Sequence, residues 1–353
     1  MARGRQGATV LALAVAIALN AGCSGSGDDR ADATDDTVVE PTSTVAASRP
    51  RPSPGCAKAE ATPAVANDRL YLDVDGDERS YLVTAPAGPG APMPLVLDIH
   101  GLAEGAEIHS VMTGYGELAT EEGFVVAFPQ AEGELLDWDA DPRLDPNPDI
   151  AYINDLIDQL GEDFCLDLSR VYATGLSYGA IMSSLLACQM DDRIAAIVAM
   201  AGLATWGDCV PDRPVPMMAF HGTDDPIILF GGGVDLSGVL GGDDEPEAPS
   251  TTTSLPAPDL DGPGFPADVA TWAERNGCDP TPTERELSPE VVERTYDCPD
   301  GTDVVSIVVL GGGHAWPGSE FSASIESIVG HTTFDVDATR DGWDFLKRHR
   351  LPS

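Results

Sequence analysis

Lysine is almost absent from this 353-residue chain: only Lys58 and Lys347 occur, and 19 basic residues face 59 acidic ones for a formal net charge of −40. That balance argues against a nucleic-acid partner, because polyanion binding draws its affinity from Lys and Arg displacing counterions. Long hydrophobic runs are missing too. The apolar stretch from Ala8 to Leu19 is shorter than the roughly 20 residues that a membrane-spanning helix needs. No CxxC pair and no HExxH string occurs, and the cysteines are scattered singly, so neither a metal centre nor another cofactor is expected. What is present suffices for folding: 42% of the residues are hydrophobic, enough for one large core or two small ones. The acidic excess fits a compositional bias toward Arg, Ala, Gly and Asp, or a salt-adapted surface.

Arg3 and Arg5 before the short apolar run have the form of a secretory signal over residues 1–23. The run ends in Leu19-Asn20-Ala21-Gly22-Cys23, which resembles a bacterial lipobox with Asn20 in a usually apolar place. Two outcomes follow: a lipid on Cys23 that holds the chain to the outer face of the membrane, or a soluble secreted protein. Residues 24–55 are rich in Asp, Thr, Ser, Pro and Ala and have little apolar surface to bury, so a disordered acidic tether is expected there. A coil of that length reaches roughly 30 Å. The folded domain is then 56–353. Its six cysteines, Cys56, Cys165, Cys188, Cys209, Cys278 and Cys298, favour disulfides in an exported chain, and six allow 15 connectivities.

From Leu70 the chain alternates strand and helix. Two alternating segments flank Asp75-Gly76, a hairpin signal, since both residues tolerate positive φ. Short apolar runs follow over 94–99, 124–128, 170–174, 195–200, 215–220 and 304–310, typical of strands buried on both faces. Helical patterns occupy 110–122, 150–163, 178–190, 267–276 and 336–349. The alternation predicts an α/β fold with a mainly parallel sheet covered by helices on both faces, and a ligand site beyond the carboxyl ends of the strands. Residues 231–264, with Gly, acidic and Ser/Thr clusters, read as a low-complexity insertion that either borders the site or is a solvated excursion.

The strand ends carry a hydrolytic pattern. Gly175-Leu-Ser177-Tyr-Gly179 has the G-x-S-x-G form, with a strand before it and a helix after it, the context that a nucleophile elbow requires. Among six histidines, His314 alone sits in a glycine-rich turn directly after the last core strand, so it is the candidate base; His331 follows no strand and His349 lies on a terminal, solvated helix. The acid falls between them in sequence, and His221-Gly-Thr-Asp224-Asp225-Pro offers two carboxylates, of which Asp225 is chosen and Asp224 left as a turn residue. Two backbone amides, of Tyr178 after the nucleophile and of Leu102 in the His100-Gly101-Leu102 loop, are candidate oxyanion donors. Trp138 and Trp316 are placed to stack an acyl group or sugar, or to pack the core edge.

Taken together, the His-Gly after the third strand, the elbow, His-Gly-Thr-x-Asp-Pro, Trp272-x-x-x-Asn276-Gly277-Cys278, Gly-Gly-Gly-His-x-Trp-Pro-Gly and the closing Ala338-Thr339 to Trp343-x-Phe345 resemble the polyhydroxybutyrate depolymerase and feruloyl esterase group of α/β-hydrolases. The likeness runs from about Cys56 to His349; Ala180 stands where the family has a second glycine. It implies an α/β-hydrolase fold and an exported serine ester hydrolase acting on feruloyl or acetyl esters of plant polysaccharides or on hydroxyalkanoate esters. No polymer-binding module is visible, which favours small or oligomeric esters. The resemblance also implies the pairs Cys278 with Cys298, Cys188 with Cys209 and Cys56 with Cys165. Two other classes fit the same shell: an inactive substrate-binding lipoprotein and a serine peptidase.

Overall fold

A computed structural model describes residues 49–58, 64–88, 91–236 and 257–352; the leader with Cys23, most of the tether and the centre of the insertion lie outside the described residues. Among the described residues ten strands form one sheet in the order β1-β2-β4-β3-β5-β6-β7-β10-β9-β8. β1 (Val65–Val74) and β2 (Asp77–Ala85) form the expected hairpin, with φ of 54° at Asp75 and 98° at Gly76. β3 (Met93–Ile99), β4 (Val125–Pro129), β5 (Leu166–Leu176), β6 (Ala196–Met200), β7 (Met217–Gly222) and β10 (Val304–Val309) run parallel to one another. An antiparallel pair, β8 (Thr283–Ser288) and β9 (Val291–Thr295), closes the far edge. The sequence pattern did not announce this pair, because the exposed outer strand reads Thr-Glu-Arg-Glu-Leu-Ser and buries almost nothing.

The helices are α1 (Ala106–Thr113), α2 (Tyr115–Glu122), α3 (Pro148–Asp163), α4 (Tyr178–Gln189), α5 (Phe265–Arg275), α6 (Glu320–Ser324), α7 (Glu326–Val329) and α8 (Ala338–Leu346). The single helix expected over 110–122 is two helices: Gly114, at φ 66°, ends one and starts the next. Side chains alternate across each central strand, so Leu95, Leu97 and Ile99 enter one core with Ile153 and Leu185, while Val96 enters the other with Tyr115, Phe124 and Trp343. Each fully buried aliphatic side chain contributes about 1.5–3 kcal/mol, which anchors the sheet and leaves its carboxyl edge as a rigid rim.

Two expectations need correction and a third is refined. The folded unit begins before Cys56: the Ser53 amide donates to the Leu166 carbonyl at 2.9 Å, its hydroxyl to the Phe164 carbonyl at 2.9 Å, and Leu168 N to the Arg51 carbonyl at 2.8 Å. Backbone pairing holds residues 51–55 where composition alone suggested tether. The insertion has an ordered stem, since Ile228 bridges to Val234, and Phe265 N donates to the Phe230 carbonyl at 3.0 Å. His349 is buried, not solvated. The chain end folds back, Tyr172 donates to the His349 carbonyl at 2.7 Å, and the imidazole lies 4.6 Å from the Phe345 ring. The disulfides are Cys56–Cys165, Cys188–Cys209 and Cys278–Cys298, the pairs implied by the family resemblance.

Candidate active site

Leu176 ends β5 and Tyr178 starts α4, so Ser177 alone makes the reversal between them, at φ 57° and ψ −121°. A non-glycine residue is strained in that region, and the strain is held by Ser177 N donating to the Met200 carbonyl (2.8 Å) while the Ser177 carbonyl accepts from Ala180 N (3.0 Å). The turn brings backbones together so closely that a Cβ on Gly179 would lie 1.9 Å from the Ile99 carbonyl oxygen. Glycine is therefore required there, whereas Ala180 is accommodated with its methyl buried. The turn leaves the amides of Tyr178 and Gly179, the first two of α4, without helical acceptors and aims the positive end of the helix dipole at the serine.

β7 and β10 are neighbours in parallel register, Gly222 opposite Val309, so the loops that leave their carboxyl ends emerge side by side. From one comes Asp225 and from the other His314, and His314 Nδ1 lies 2.8 Å from Asp225 Oδ2. The second carboxylate oxygen accepts from the amides of Ile227 (2.8 Å) and Ile228 (2.9 Å). Burial alone would push the Asp225 pKa up, but the hydrogen bonds and charges of His221 and His314 outweigh it and hold the group down at about 2. An ionised carboxylate can only accept, so Nδ1 of His314 carries a proton, and in the neutral imidazole Nε2 is then the nitrogen with the lone pair. His314 is fixed from behind, its own amide donating to the Val329 carbonyl at 2.6 Å. Asp224 is exposed, and the described contact to the histidine is made by Asp225. His221 is structural: its Nε2 lies 2.8 Å from the Ile228 carbonyl and 3.4 Å from Asp225 Oδ2, and its ring packs on Phe230 and Phe265.

Opposite, the loop after β3 carries His100-Gly101-Leu102. Burial lowers the His100 pKa to about 4, so the ring is neutral; Nδ1 donates to the Gly101 carbonyl at 2.7 Å and Nε2 accepts from Ala131 N at 3.0 Å. A trans peptide is planar, so drawing the Gly101 carbonyl toward His100 sends the Leu102 N–H the opposite way. Among the described residues no protein group accepts from that amide, although Ala103 N, the next in line, donates to Leu135 O at 2.8 Å.

Ser177, His314, Gly101 and Leu102 line one cavity of about 280 Å³. Its remaining wall is mainly aliphatic, with Ile108, Met112, Ile227, Leu236, Ile325 and Ile328 among the lining residues. A cavity of about 350 Å³ beside it shares Met112 and Phe321 and has no serine, histidine and carboxylate brought together. Neither tryptophan lines the cavity of Ser177 and His314, although Trp316 is among the residues that line its neighbour. Both are 1% exposed. Trp138 donates to the His100 carbonyl at 3.0 Å, and Trp316 to Thr339 Oγ1 at 2.9 Å while meeting His109 and Tyr115 edge-on. These contacts fit the packing role, one of the two that the sequence offers for each. The aliphatic lining escaped the sequence reading because it comes from α1, from the insertion stem and from two short helices, none with a long apolar period.

A family model described as Esterase PHB depolymerase matches residues 79–242. The protein NocK of Nocardia uniformis subsp. tsuyamanensis is 30% identical over 295 residues, covering 77% of this chain and 80% of that protein. Feruloyl esterase B of Piromyces equi is 27% identical over 283 residues, covering 78% of this chain but 46% of the relative, and the acetylxylan esterase/xylanase XynS20E of Neocallimastix patriciarum is matched over 23% of its length. The chain thus spans under half the length of these two relatives. Among solved structures, an acetyl xylan esterase from Aspergillus awamori superposes with a TM-score of 0.50 at 16% identity over 70% of this chain and 94% of that one, a likeness of fold. By fold and by sequence, the chain belongs to the polyhydroxybutyrate depolymerase and feruloyl esterase family of α/β-hydrolases.

Proposed function

We propose that this protein is a serine carboxylic-ester hydrolase in which Ser177, His314 and Asp225 form the catalytic triad. One observation carries the reading: a histidine whose Nδ1 is fixed on an ionised, buried aspartate lines the same cavity as a serine on a strained strand-to-helix turn. His314 Nε2 takes the Ser177 proton as Oγ attacks the ester carbonyl, and Asp225 holds the working tautomer and balances the imidazolium that forms. The oxyanion accepts from the amides of Leu102 and Tyr178, each contributing about 10²- to 10³-fold in kcat. His314 then protonates the leaving alcohol, and water cleaves the acyl-enzyme by the reverse path.

The substrates proposed are feruloyl or acetyl esters of plant polysaccharides, or hydroxyalkanoate esters. The aliphatic cavity wall supports a compact apolar acyl group, and the names of the feruloyl and acetylxylan esterase relatives support the same classes. Export by the 1–23 segment is part of the proposal, and three disulfides support an oxidising compartment. Anchoring through Cys23 to the outer membrane face, with residues 24–50 as tether, is its remaining part. The test is turnover of p-nitrophenyl acetate, ethyl ferulate and a chromogenic peptide by the wild type and Ser177→Ala. Ester turnover lost in the variant supports the reading; peptide turnover points to a peptidase, and no turnover to a binding protein.

A further inference from the structure

A second polar constellation lies directly behind the oxyanion loop. His109, fully buried on α1, spans two carboxylates: Nε2 is 2.9 Å from Asp98 Oδ1 at the end of β3, and Nδ1 is 2.9 Å from Glu104 Oε1. The other oxygen of Glu104 accepts the Gly101 amide at 2.6 Å, and Asp98 Oδ2 accepts from Thr113 at 2.6 Å. Both peptide planes flanking Gly101 are thereby pinned, one by Glu104 on the amide and one by His100 on the carbonyl. Glycine has the widest backbone freedom of any residue, so a loop that aims Leu102 N–H needs both restraints.

We propose that Glu104, held between His109 and the Gly101 amide, is a positioning residue that fixes the oxyanion loop in its working shape. The inference rests on the esterase reading of the site. Glu104 also lines the cavity. A bare carboxylate there would oppose the negative charge that develops in the transition state, and the imidazolium of His109 offsets it. Burial works against a charged His109, but Glu104 and Asp98 outweigh it and raise its pKa to about 10. The other titratable groups facing this cluster are His100, neutral by burial, and Tyr115, whose pKa is raised by burial and by Asp98.

Glu104→Gln is the test. Glutamine keeps the shape but has one acceptor oxygen for two donors, so either Gly101 N–H loses its partner or His109 gives up its proton. With p-nitrophenyl acetate and active sites titrated by a serine-directed phosphonate, kcat should fall about 10- to 100-fold while KM stays within about twofold. Binding of an alkyl boronic acid, whose adduct places an oxyanion in the same spot, should weaken by a similar factor. A kcat and a boronate affinity both within twofold of wild type would overturn the proposal, even with a lowered Tm, since a purely structural role changes Tm alone. If the variant does not accumulate, the wild type decides: the imidazolium N–H resonances of His109 should shift when the boronate adduct forms, and unmoved resonances would overturn it. Turnover that survives Ser177→Ala is a different failure, that of the esterase reading, and removes this inference with it.

Discussion

Replacing Asp225 by asparagine tests the tautomer argument with almost no change in shape. Asp225 Oδ1 accepts two amides, from Ile227 and Ile228, and Oδ2 accepts from His314 Nδ1. Asparagine has one acceptor oxygen. Turning its NH₂ toward the two backbone amides would lose two hydrogen bonds and set donors against donors, at about 1–3 kcal/mol for each buried group left unpaired. The oxygen therefore stays on the amides and the NH₂ meets His314 Nδ1. That contact is favourable only if Nδ1 holds a lone pair, which moves the imidazole proton to Nε2, where it can no longer accept from Ser177 Oγ. In a triad this inversion costs about 10⁴ in kcat, or about 5.4 kcal/mol of transition-state stabilisation. The assay is steady-state hydrolysis of p-nitrophenyl acetate, with expected loss in kcat and little change in KM. Removal of the carboxylate also has a stability signature. The folded pKa of about 2 is depressed, so its stabilisation is present above the unfolded value near 3.9 and lost as pH falls toward 2. A kcat for Asp225→Asn within tenfold of wild type would refute the assignment of Asp225.

Ser177→Ala should abolish turnover with a Tm equal to wild type or higher, because the serine hydroxyl makes no described structural bond; a folded variant with wild-type turnover would contradict the site. Gly179→Ala should lower stability by more than about 3 kcal/mol in urea, since the new methyl would lie 1.9 Å from the Ile99 carbonyl oxygen; a midpoint like wild type would show that the turn opens freely. Removing Cys56–Cys165, which spans 109 residues, should lower stability by about 4–5 kcal/mol, against about 3 for Cys278–Cys298, which spans 20; the opposite ranking in denaturant melts would rule out loop closure as the main effect. His109 has a raised folded pKa, so its stabilisation is complete below about 6.5 and lost as pH rises through about 10; wild-type Tm should decline over that interval, and His109→Gln should flatten the decline.

Legibility in the sequence followed the range of each interaction. The parallel strands were readable because burial on both faces writes a continuous apolar run, and Ser177 because the turn that strains it forces Gly179 within the same five residues. Asp225 and His314 were readable only as residues that follow strands; their meeting depends on β7 and β10 being neighbours, and with 81 residues between those strands a chain pattern cannot state it. The outer strand β8 was hidden for the opposite reason, since an exposed edge has no apolar period to write. The tryptophans show where local context leaves two roles open: both sit beside the proposed triad in sequence or in a neighbouring loop, and only the fold reveals that each indole N–H is spent on a backbone or side-chain partner under the rim. The Asp98, His109 and Glu104 cluster was invisible for a physical reason of the same kind. A histidine on a short helix becomes a charge only when folding places carboxylates on both of its nitrogens, and nothing within five residues of His109 announces Asp98. The proposed nucleophile is thus encoded locally, whereas the electrostatics that would make it useful are encoded in which strands are neighbours.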